Sequence, residues 1–305
     1  MRRILFMGTP EYARIILEGL MALGNLNIRV VTKPDTPQGR HLRLTPSPAA
    51  QAAEMAGLEV DKPVRLLDFK DTWVKWEPDL IITAAYGKIL RPWLLNLPRY
   101  GTYNLHASLL PRWRGPNPIA WAIREGDTIT GVTLMKVDEG VDTGDIVATR
   151  SVPILPNVTA GDLTQILARE ARDLLIEYLD RLFSGKIALL PQDPKQAVYA
   201  GKFDAGDSHI RWNQPAQVID RLVRSMTPEP GAYTICHGVR VKVVQSAYDK
   251  GEQPVGWAEL NGNDWHVGTT DGVVVVKRIK PAGKKEMTPG DFQRGLRTLG
   301  RVVCE

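Results

Sequence analysis

Short apolar runs alternate with amphipathic stretches through the first 185 residues of the chain. The apolar runs have the length of buried strands and lie at residues 2–8, 27–33, 79–86, 100–110 and 130–137. Apolar positions with helical spacing predict helices over residues 11–23 and 118–126. The same spacing predicts a long helix over residues 159–185, capped by Thr159 and ended by Gly185. Strands that alternate with helices predict an α/β fold, a Rossmann-like, doubly wound and mainly parallel sheet.

The pattern changes after residue 185. Residues 186–205 are rich in proline, glycine and charge, which is typical of a linker. Beyond a helical stretch at 216–226, strand-like pieces with glycine turns fill residues 232–247 and 256–283, as in a small OB-like β-barrel. We therefore predict an α/β domain over 1–185, a linker over 186–205 and a β-barrel domain over 206–305.

One connection interrupts the α/β pattern, the segment KPDTPQGRHLRLTPSP at residues 33–48. It contains four prolines and the cationic or titratable side chains of Arg40, His41 and Arg43. A connection this long without a helical or strand pattern is often functional, although a mobile surface tip is the other interpretation.

Composition and charge narrow the class of protein. The 305 residues are 43% hydrophobic and 24% charged, as in a soluble globular protein, and no apolar run is long enough for a membrane span. Two cysteines give no disulfide framework, so we expect a cytoplasmic protein. The net charge is +5, and residues 277–301 hold eight basic against two acidic residues. That stretch is either a solvated face or a phosphate-binding surface.

Cofactor and metal motifs are missing from the sequence. The turn after the first strand contains Gly8, Thr9 and Pro10 and lacks the further glycines of a dinucleotide-binding site. A nicotinamide oxidoreductase is therefore supported by the fold class alone. The five histidines are isolated, and no paired metal-ligand spacing occurs, so we predict no metal.

The candidate chemistry lies in NLHASLLPRWRG, residues 104–115. Asn104 and His106 are two residues apart on a predicted strand, so their side chains point to the same face. An amide and an imidazole there can stabilise a developing oxyanion, but a capping asparagine and a partly exposed histidine fit equally well. DEGVDTGD at 138–145 is either a solvated acidic turn or the source of an aspartate that orients His106.

Several motifs in order resemble the formyltetrahydrofolate-dependent formyltransferase family. They are NLHASLLP, RWRG, PIAWAI and TGVTLMKVDEGVDTGDI. The loop at 33–48 and the segment KPAGKKEMTPGDF resemble the branch of that family whose acceptor is methionyl-tRNA. The chain departs from the family at Pro116-Asn117-Pro118, where small alanines are more usual.

The resemblance implies a reaction and a set of site residues. It implies transfer of a formyl group from 10-formyltetrahydrofolate, without a metal, to the methionine α-amine of initiator methionyl-tRNA for translation initiation. We expect the protein to be a monomer. The implied catalytic residues are Asn104, His106 and Asp142. The implied folate-binding residues are Tyr86, Gly87, Ile89, Leu90, Ser108, Leu109, Leu110, Pro111, Asp138, Glu139, Gly140 and Val141. The implied tRNA-binding residues are Arg40, Arg43, Lys280, Lys284 and Lys285.

Two other functions stay open from the sequence. A relative that formylates a small amine, such as glycinamide ribonucleotide or an amino sugar nucleotide, would use the same three catalytic residues. An RNA-binding protein that keeps the fold without catalysis would bind tRNA even without His106. Arg112 and Arg114 are interpreted equally well as contacts to folate or tRNA and as packing residues.

Overall fold

The computed structural model of the protein describes residues 1–38, 43–296 and 300–305. The chain divides into two compact units. The first comprises Met1–Pro118, Ile129–Pro153 and Thr164–Gly201, and the second comprises Ile119–Thr128, Ile154–Leu163 and Lys202–Glu305. The three-part division expected from the sequence stays a prediction, and residues 186–201 belong to the first unit.

The first unit carries a seven-stranded sheet. Its strands are β1 Arg2–Gly8, β2 Leu26–Val31, β5 Glu59–Asp61, β6 Leu80–Ala84, β7 Thr102–His106, β8 Ile129–Lys136 and β9 Ile146–Pro153, and a separate pair is formed by β3 Thr36–Gln38 and β4 Arg43–Thr45. The helices up to residue 184 are α1 Glu11–Ala22, α2 Pro48–Met55, α3 Lys70–Trp76, α4 Pro92–Leu95, α5 Pro118–Glu125 and α6 Ala160–Ser184. Of these, α5 from Ile119 onward and α6 up to Leu163 belong to the second unit. Short 3-10 helices lie at Leu66–Phe69 and Pro194–Gln196.

The sheet order is β5-β2-β1-β6-β7-β8-β9. Neighbours from β5 through β7 are parallel, and β8 is antiparallel to both β7 and β9. The predicted mainly parallel sheet is thus confirmed. The central residues Ile4–Met7 and Leu80–Ile82 are buried, which is why these strands are continuous apolar runs without alternation.

The connection at 33–48 has regular structure at its described flanks. Strands β3 and β4 pair antiparallel, with Thr36 opposite Thr45 and Gln38 opposite Arg43. The expectation of a structureless connection is therefore wrong there, because prolines are tolerated in a two-stranded ribbon that has no third strand to bond. Arg40 and His41 lie outside the described residues.

The second unit is built on a six-stranded antiparallel sheet in the order β10-β11-β14-β13-β12-β15. Its strands are β10 Tyr233–Cys236, β11 Val239–Asp249, β12 Trp257–Asn261, β13 Asp264–Gly268, β14 Val273–Pro281 and β15 Val302–Val303, with helices α7 Ala216–Met226 and α8 Pro289–Leu296. Ile235 and Glu305 exchange backbone hydrogen bonds of 2.9 Å in both directions, so the last residues bring the sheet back to β10. This arrangement confirms the predicted small β-barrel.

Candidate active site

Strand β7 holds Asn104 beside Thr83 of β6, because the two residues are register partners in the parallel pair. The buried Thr83 hydroxyl donates a hydrogen bond of 2.8 Å to Asn104 Oδ1. The amide oxygen is therefore occupied, and the Nδ2 hydrogens point away from Thr83. In this orientation the amide presents its donors as a group that could bind an oxygen atom.

His106 ends β7 and is buried, with 6% of its side chain exposed. Its Nε2 lies 2.8 Å from the backbone oxygen of Trp113. Because a carbonyl oxygen can only accept, Nε2 carries a hydrogen, and in the neutral ring Nδ1 is the nitrogen without one. Nδ1 lies 3.6 Å from Oδ2 of Asp142, so the two groups face each other beyond direct hydrogen-bond distance.

The loop after β7 is fixed by its own hydrogen bonds. The Ser108 hydroxyl donates to the backbone oxygen of Arg112 at 2.6 Å. Thr133 of β8, the register partner of His106, donates to the Ser108 carbonyl at 2.7 Å and accepts from the Leu110 amide at 3.1 Å. These bonds account for the burial of Ser108 and Leu110, two of the predicted folate-binding residues.

Asp142 reaches His106 from a loop that starts at the other end of β7. Because β8 is antiparallel, the loop leaves beside Thr102, whose carbonyl accepts from the Val137 amide at 2.8 Å. Asp142 has a left-handed backbone with φ of 53°, and its Oδ2 accepts a hydrogen bond of 2.8 Å from the Gly115 amide. The structure thus brings Asp142 of the acidic segment to His106. That this aspartate orients or charges the imidazole stays a prediction.

The acidic loop is shaped by two local features. Asp138 accepts hydrogen bonds from the Gly140 amide at 3.1 Å and from the Thr143 hydroxyl at 2.7 Å, as in a tight Asx turn. A Cβ at Gly144 would lie 1.9 Å from the Lys136 carbonyl oxygen, so this position requires glycine. Asp138, Glu139, Gly140 and Val141 are exposed, and 54% of Val141 is accessible.

The predicted folate-binding residues after β6 differ in exposure. Tyr86 and Leu90 pack in a core cluster with Leu5, Met7 and Trp73, whereas Ile89 is 73% exposed and Gly87 is exposed with φ of 73°. Burial raises the pKa of Tyr86, and its hydroxyl has no hydrogen-bond partner among the described residues.

Arg112 and Arg114 take different environments. Arg112 is exposed, and its guanidinium carbon lies 4.3 Å from the centre of the Trp113 ring. Arg114 is 4% exposed, and its side chain donates to Oε1 of Gln192 at 3.0 and 2.7 Å. The sequence analysis did not single out Gln192, which lies in the predicted linker 186–205.

The predicted tRNA-binding residues fall in both units. Arg43 begins β4 in the first unit and is exposed, whereas Arg40 lies outside the described residues. Lys280, Lys284 and Lys285 are exposed in the second unit, where the Lys284 ammonium lies 5.8 Å from the centre of the Phe292 ring. Among the residues that the structure describes, none of the three lysines forms an ion pair with a carboxylate, whereas Arg278 Nε donates to Glu286 Oε1 at 2.9 Å.

Within the described part of the chain, no three His, Cys, Asp or Glu side chains gather in a way that could hold a metal ion. None of the helices in those same residues has the length and apolar character needed to cross a membrane.

Comparison with known families gives two matches that together span most of the chain. Residues 2–179 match the formyl transferase family model, and residues 202–297 match the model for the formyl transferase C-terminal domain. A methionyl-tRNA formyltransferase from Halorhodospira halophila is 41% identical over 301 residues, which is 97% of each chain. The enzyme of the same name from Thermobifida fusca is 40% identical over 97% of this chain and 96% of its own.

Solved structures share the fold at lower identity. HypX from Aquifex aeolicus, in complex with tetrahydrofolic acid, superimposes with a TM-score of 0.69 at 19% identity, over 95% of this chain. This chain spans 46% of HypX. WlaRD, a sugar 3N-formyl transferase, gives a TM-score of 0.69 at 18% identity, over 93% of this chain and 99% of that one.

Proposed function

The chain belongs to the formyl transferase family, and we propose that it moves the formyl group of 10-formyltetrahydrofolate onto the α-amine of methionine in initiator methionyl-tRNA. The product, formylmethionyl-tRNA, would serve translation initiation. Support for methionyl-tRNA as the acceptor comes from relatives named methionyl-tRNA formyltransferase, which align with this chain over nearly their whole length. Support for the chemistry comes from one observation, the approach of Asp142 Oδ2 to His106 Nδ1.

In the proposed reaction a bond forms between the methionine nitrogen and the formyl carbon, and the bond from that carbon to N10 of the folate breaks. Negative charge develops on the formyl oxygen before that bond breaks. Asn104 stabilises the charge through its Nδ2 hydrogens, which the Thr83 contact leaves available. A donor of this kind is worth about 3 kcal/mol of transition-state stabilisation.

His106 and Asp142 handle the proton and the charge. The methionine amine loses a proton as it becomes an amide, and the folate N10 gains one as it leaves. Nδ1 of His106 is the nitrogen able to exchange that proton, because Nε2 already donates to Trp113. The Asp142 carboxylate, held by the Gly115 amide, balances the positive charge of the doubly protonated ring, directly or through a water.

The residues proposed to hold the folate fit a flat, partly apolar ligand. Ile89 and Val141 leave large apolar side chains exposed on the segments that follow β6 and β8. The buried Tyr86 hydroxyl has an unused hydrogen-bonding capacity among the described residues. The loop 108–111 adds backbone groups on a segment fixed by Thr133. The formyl donor supplies an activated one-carbon unit and needs no metal.

Two basic surfaces would contact the tRNA. Arg43 begins β4 within the 33–48 segment, which we propose contacts the acceptor end through Arg40 and Arg43. Lys280, Lys284 and Lys285 would bind backbone phosphates, which gives salt-sensitive affinity without sequence preference. A tRNA substrate and the unlinked thiols of Cys236 and Cys304 favour the cytoplasm as the site of action. That the protein acts as a monomer stays a prediction.

A single-turnover assay tests the proposal. The protein and 10-formyltetrahydrofolate are mixed separately with methionyl initiator tRNA, methionyl elongator tRNA and glycinamide ribonucleotide, and formylated product is measured over time. We expect rapid formylation of the initiator tRNA. Transfer only to the small amine would assign the chain to another branch of the family, and tRNA binding without transfer to any acceptor would refute catalysis.

A further inference from the structure

We propose that Gln192 is a positioning residue, which holds the Asp142 loop in the conformation that brings its carboxylate to His106. The proposal rests on the function proposed for Asp142. It concerns a side chain in the segment 186–201, which lies within the linker predicted from composition over residues 186–205.

Hydrogen bonds fix this segment at both ends. Ile146 and Leu190 exchange backbone bonds of 2.8 and 2.9 Å, which joins the segment to the start of β9, just after the Asp142 loop. At the other end, Arg114 N donates to Val198 O at 2.9 Å, and Ala200 N donates to Arg114 O at 2.7 Å. The segment therefore bridges the loop that carries Asp142 and the loop that follows His106.

Gln192 lies between these two attachments, and its amide makes four hydrogen bonds. Its Nε2 donates to the backbone oxygens of Asp142 at 3.0 Å and Gly144 at 2.6 Å. Its Oε1 accepts from Nε and Nη2 of the buried Arg114 at 3.0 and 2.7 Å. A primary amide has two donor hydrogens and two acceptor lone pairs, so the group is fully satisfied in only one orientation.

The hydrogen bonds from Gln192 fix the backbone that determines the position of the Asp142 carboxylate. Asp142 has φ of 53°, a conformation that L-residues rarely adopt and that surrounding contacts must maintain. Gln192 holds the carbonyls of Asp142 and of Gly144, on either side of Thr143. With the backbone fixed, Oδ2 stays 2.8 Å from the Gly115 amide and 3.6 Å from His106 Nδ1.

The carbonyl oxygens of Asp142 and Gly144 make glutamine specific at this position, because they need a donor beside the acceptor that Arg114 needs. A glutamate would still accept from the Arg114 guanidinium, but its oxygens would face the carbonyl oxygens of Asp142 and Gly144 without a hydrogen to donate. A methionine has similar length and neither donor nor acceptor. Gln192→Glu therefore tests the two donated bonds alone, and Gln192→Met tests all four.

The first experiment is a double-mutant cycle in formyl transfer to methionyl-tRNA. We expect Gln192→Met and Gln192→Glu each to lower kcat by roughly 10- to 100-fold, as a misplaced catalytic group does. KM for both substrates should stay within about twofold, because no substrate contact is lost. Added to Asp142→Ala, either replacement should change the residual kcat by less than about twofold. Gln196→Met is the matched control, since among the described residues the Gln196 side chain bonds only the exposed Asp193 in the same segment.

The second experiment needs no activity. The Gly115 amide proton reports its bond to Asp142 in a ¹H–¹⁵N correlation spectrum. We expect Asp142→Ala to shift this resonance upfield, and both Gln192 variants to shift it in the same direction while Gln196→Met leaves it in place. Thermal unfolding shows whether each variant is folded. If Gln192→Met unfolds, Gln192→Glu, which keeps the Arg114 contact, carries the test.

The outcomes separate the two proposals. A wild-type protein that formylates no methionyl-tRNA would contradict the proposed function, while the Gly115 resonance would still test Gln192. A folded Gln192 variant with an unshifted Gly115 resonance would overturn the positioning role. So would a loss of kcat that multiplies with that of Asp142→Ala, because the residue would then act on something other than the carboxylate.

Discussion

The orientation of the Asn104 amide can be tested by replacing Thr83 with valine. Thr83 is buried, and its hydroxyl is the group that bonds Asn104 Oδ1 at 2.8 Å. Valine has nearly the same shape and cannot donate, so the replacement removes the bond without opening a cavity. The amide is then free to turn its oxygen, instead of its hydrogens, toward the developing charge.

The expected loss of kcat distinguishes the orienting role of Thr83 from the oxyanion-stabilising role of Asn104. A hydrogen bond of this kind contributes about 1 kcal/mol, so its loss should lower kcat by roughly fivefold. Asn104→Ala removes the donor itself and should lower kcat by roughly 100- to 1000-fold. The Thr83 hydroxyl also lies 3.4 Å from the Tyr103 carbonyl, a weak contact whose loss should affect stability more than rate.

The assay is single-turnover formyl transfer with saturating 10-formyltetrahydrofolate and methionyl initiator tRNA. Thr83→Ser keeps the hydroxyl and should restore a nearly normal rate despite the missing methyl group. In an Asn104→Ala background, Thr83→Val should have no further effect on the rate. A folded Thr83→Val variant with an unchanged rate would refute the orienting role, and an Asn104→Ala variant within about tenfold of wild type would refute the oxyanion role.

Two further predictions concern one loop and one surface. Gly115 has φ of 113°, and a Cβ there would lie 2.6 Å from the Ala200 carbonyl oxygen. Gly115→Ala should therefore lower the free energy of unfolding by about 1 to 3 kcal/mol in a denaturant titration. An unchanged free energy of unfolding would contradict this close approach. Lys285→Ala should reduce the slope of log affinity for tRNA against log salt by about 1 and leave kcat unchanged, whereas an unaltered slope would exclude a phosphate contact.

The central strands and the barrel followed from local patterns. The runs at 2–8 and 79–86 predicted β1 and β6, because strands buried on both faces are continuous apolar runs. The reversed direction of β8 could not be predicted in the same way. A helix precedes this strand as it does in a parallel crossover, and direction depends on long-range pairing that leaves no local signal.

The candidate site was predictable where its groups share one strand. Asn104 and His106 are two residues apart, so the alternation of a strand predicted a common face. Asp142 was indicated by an acidic turn and by family resemblance, but its approach depends on a loop that returns along β7. Gln192 gave no signal, because its partners lie 50 and 78 residues away and its neighbours have the composition of a linker.

Two strained residues explain why these loops need so many bonds. Trp113 and Asp142 have φ of 64° and 53°, where glycine would cost least, yet both positions carry side chains. Each such residue costs on the order of 1 to 3 kcal/mol and persists only when its surroundings hold it. The Trp113 carbonyl fixes the proton on His106 Nε2, and the Asp142 carbonyl is held by Gln192. The strained residues themselves thus supply two of the backbone groups that hold His106 and Asp142 face to face, and the Gly115 amide supplies the third. A change of Trp113 or Asp142 to a relaxed backbone conformation would therefore alter the His106–Asp142 geometry before it affected strands β7 and β8.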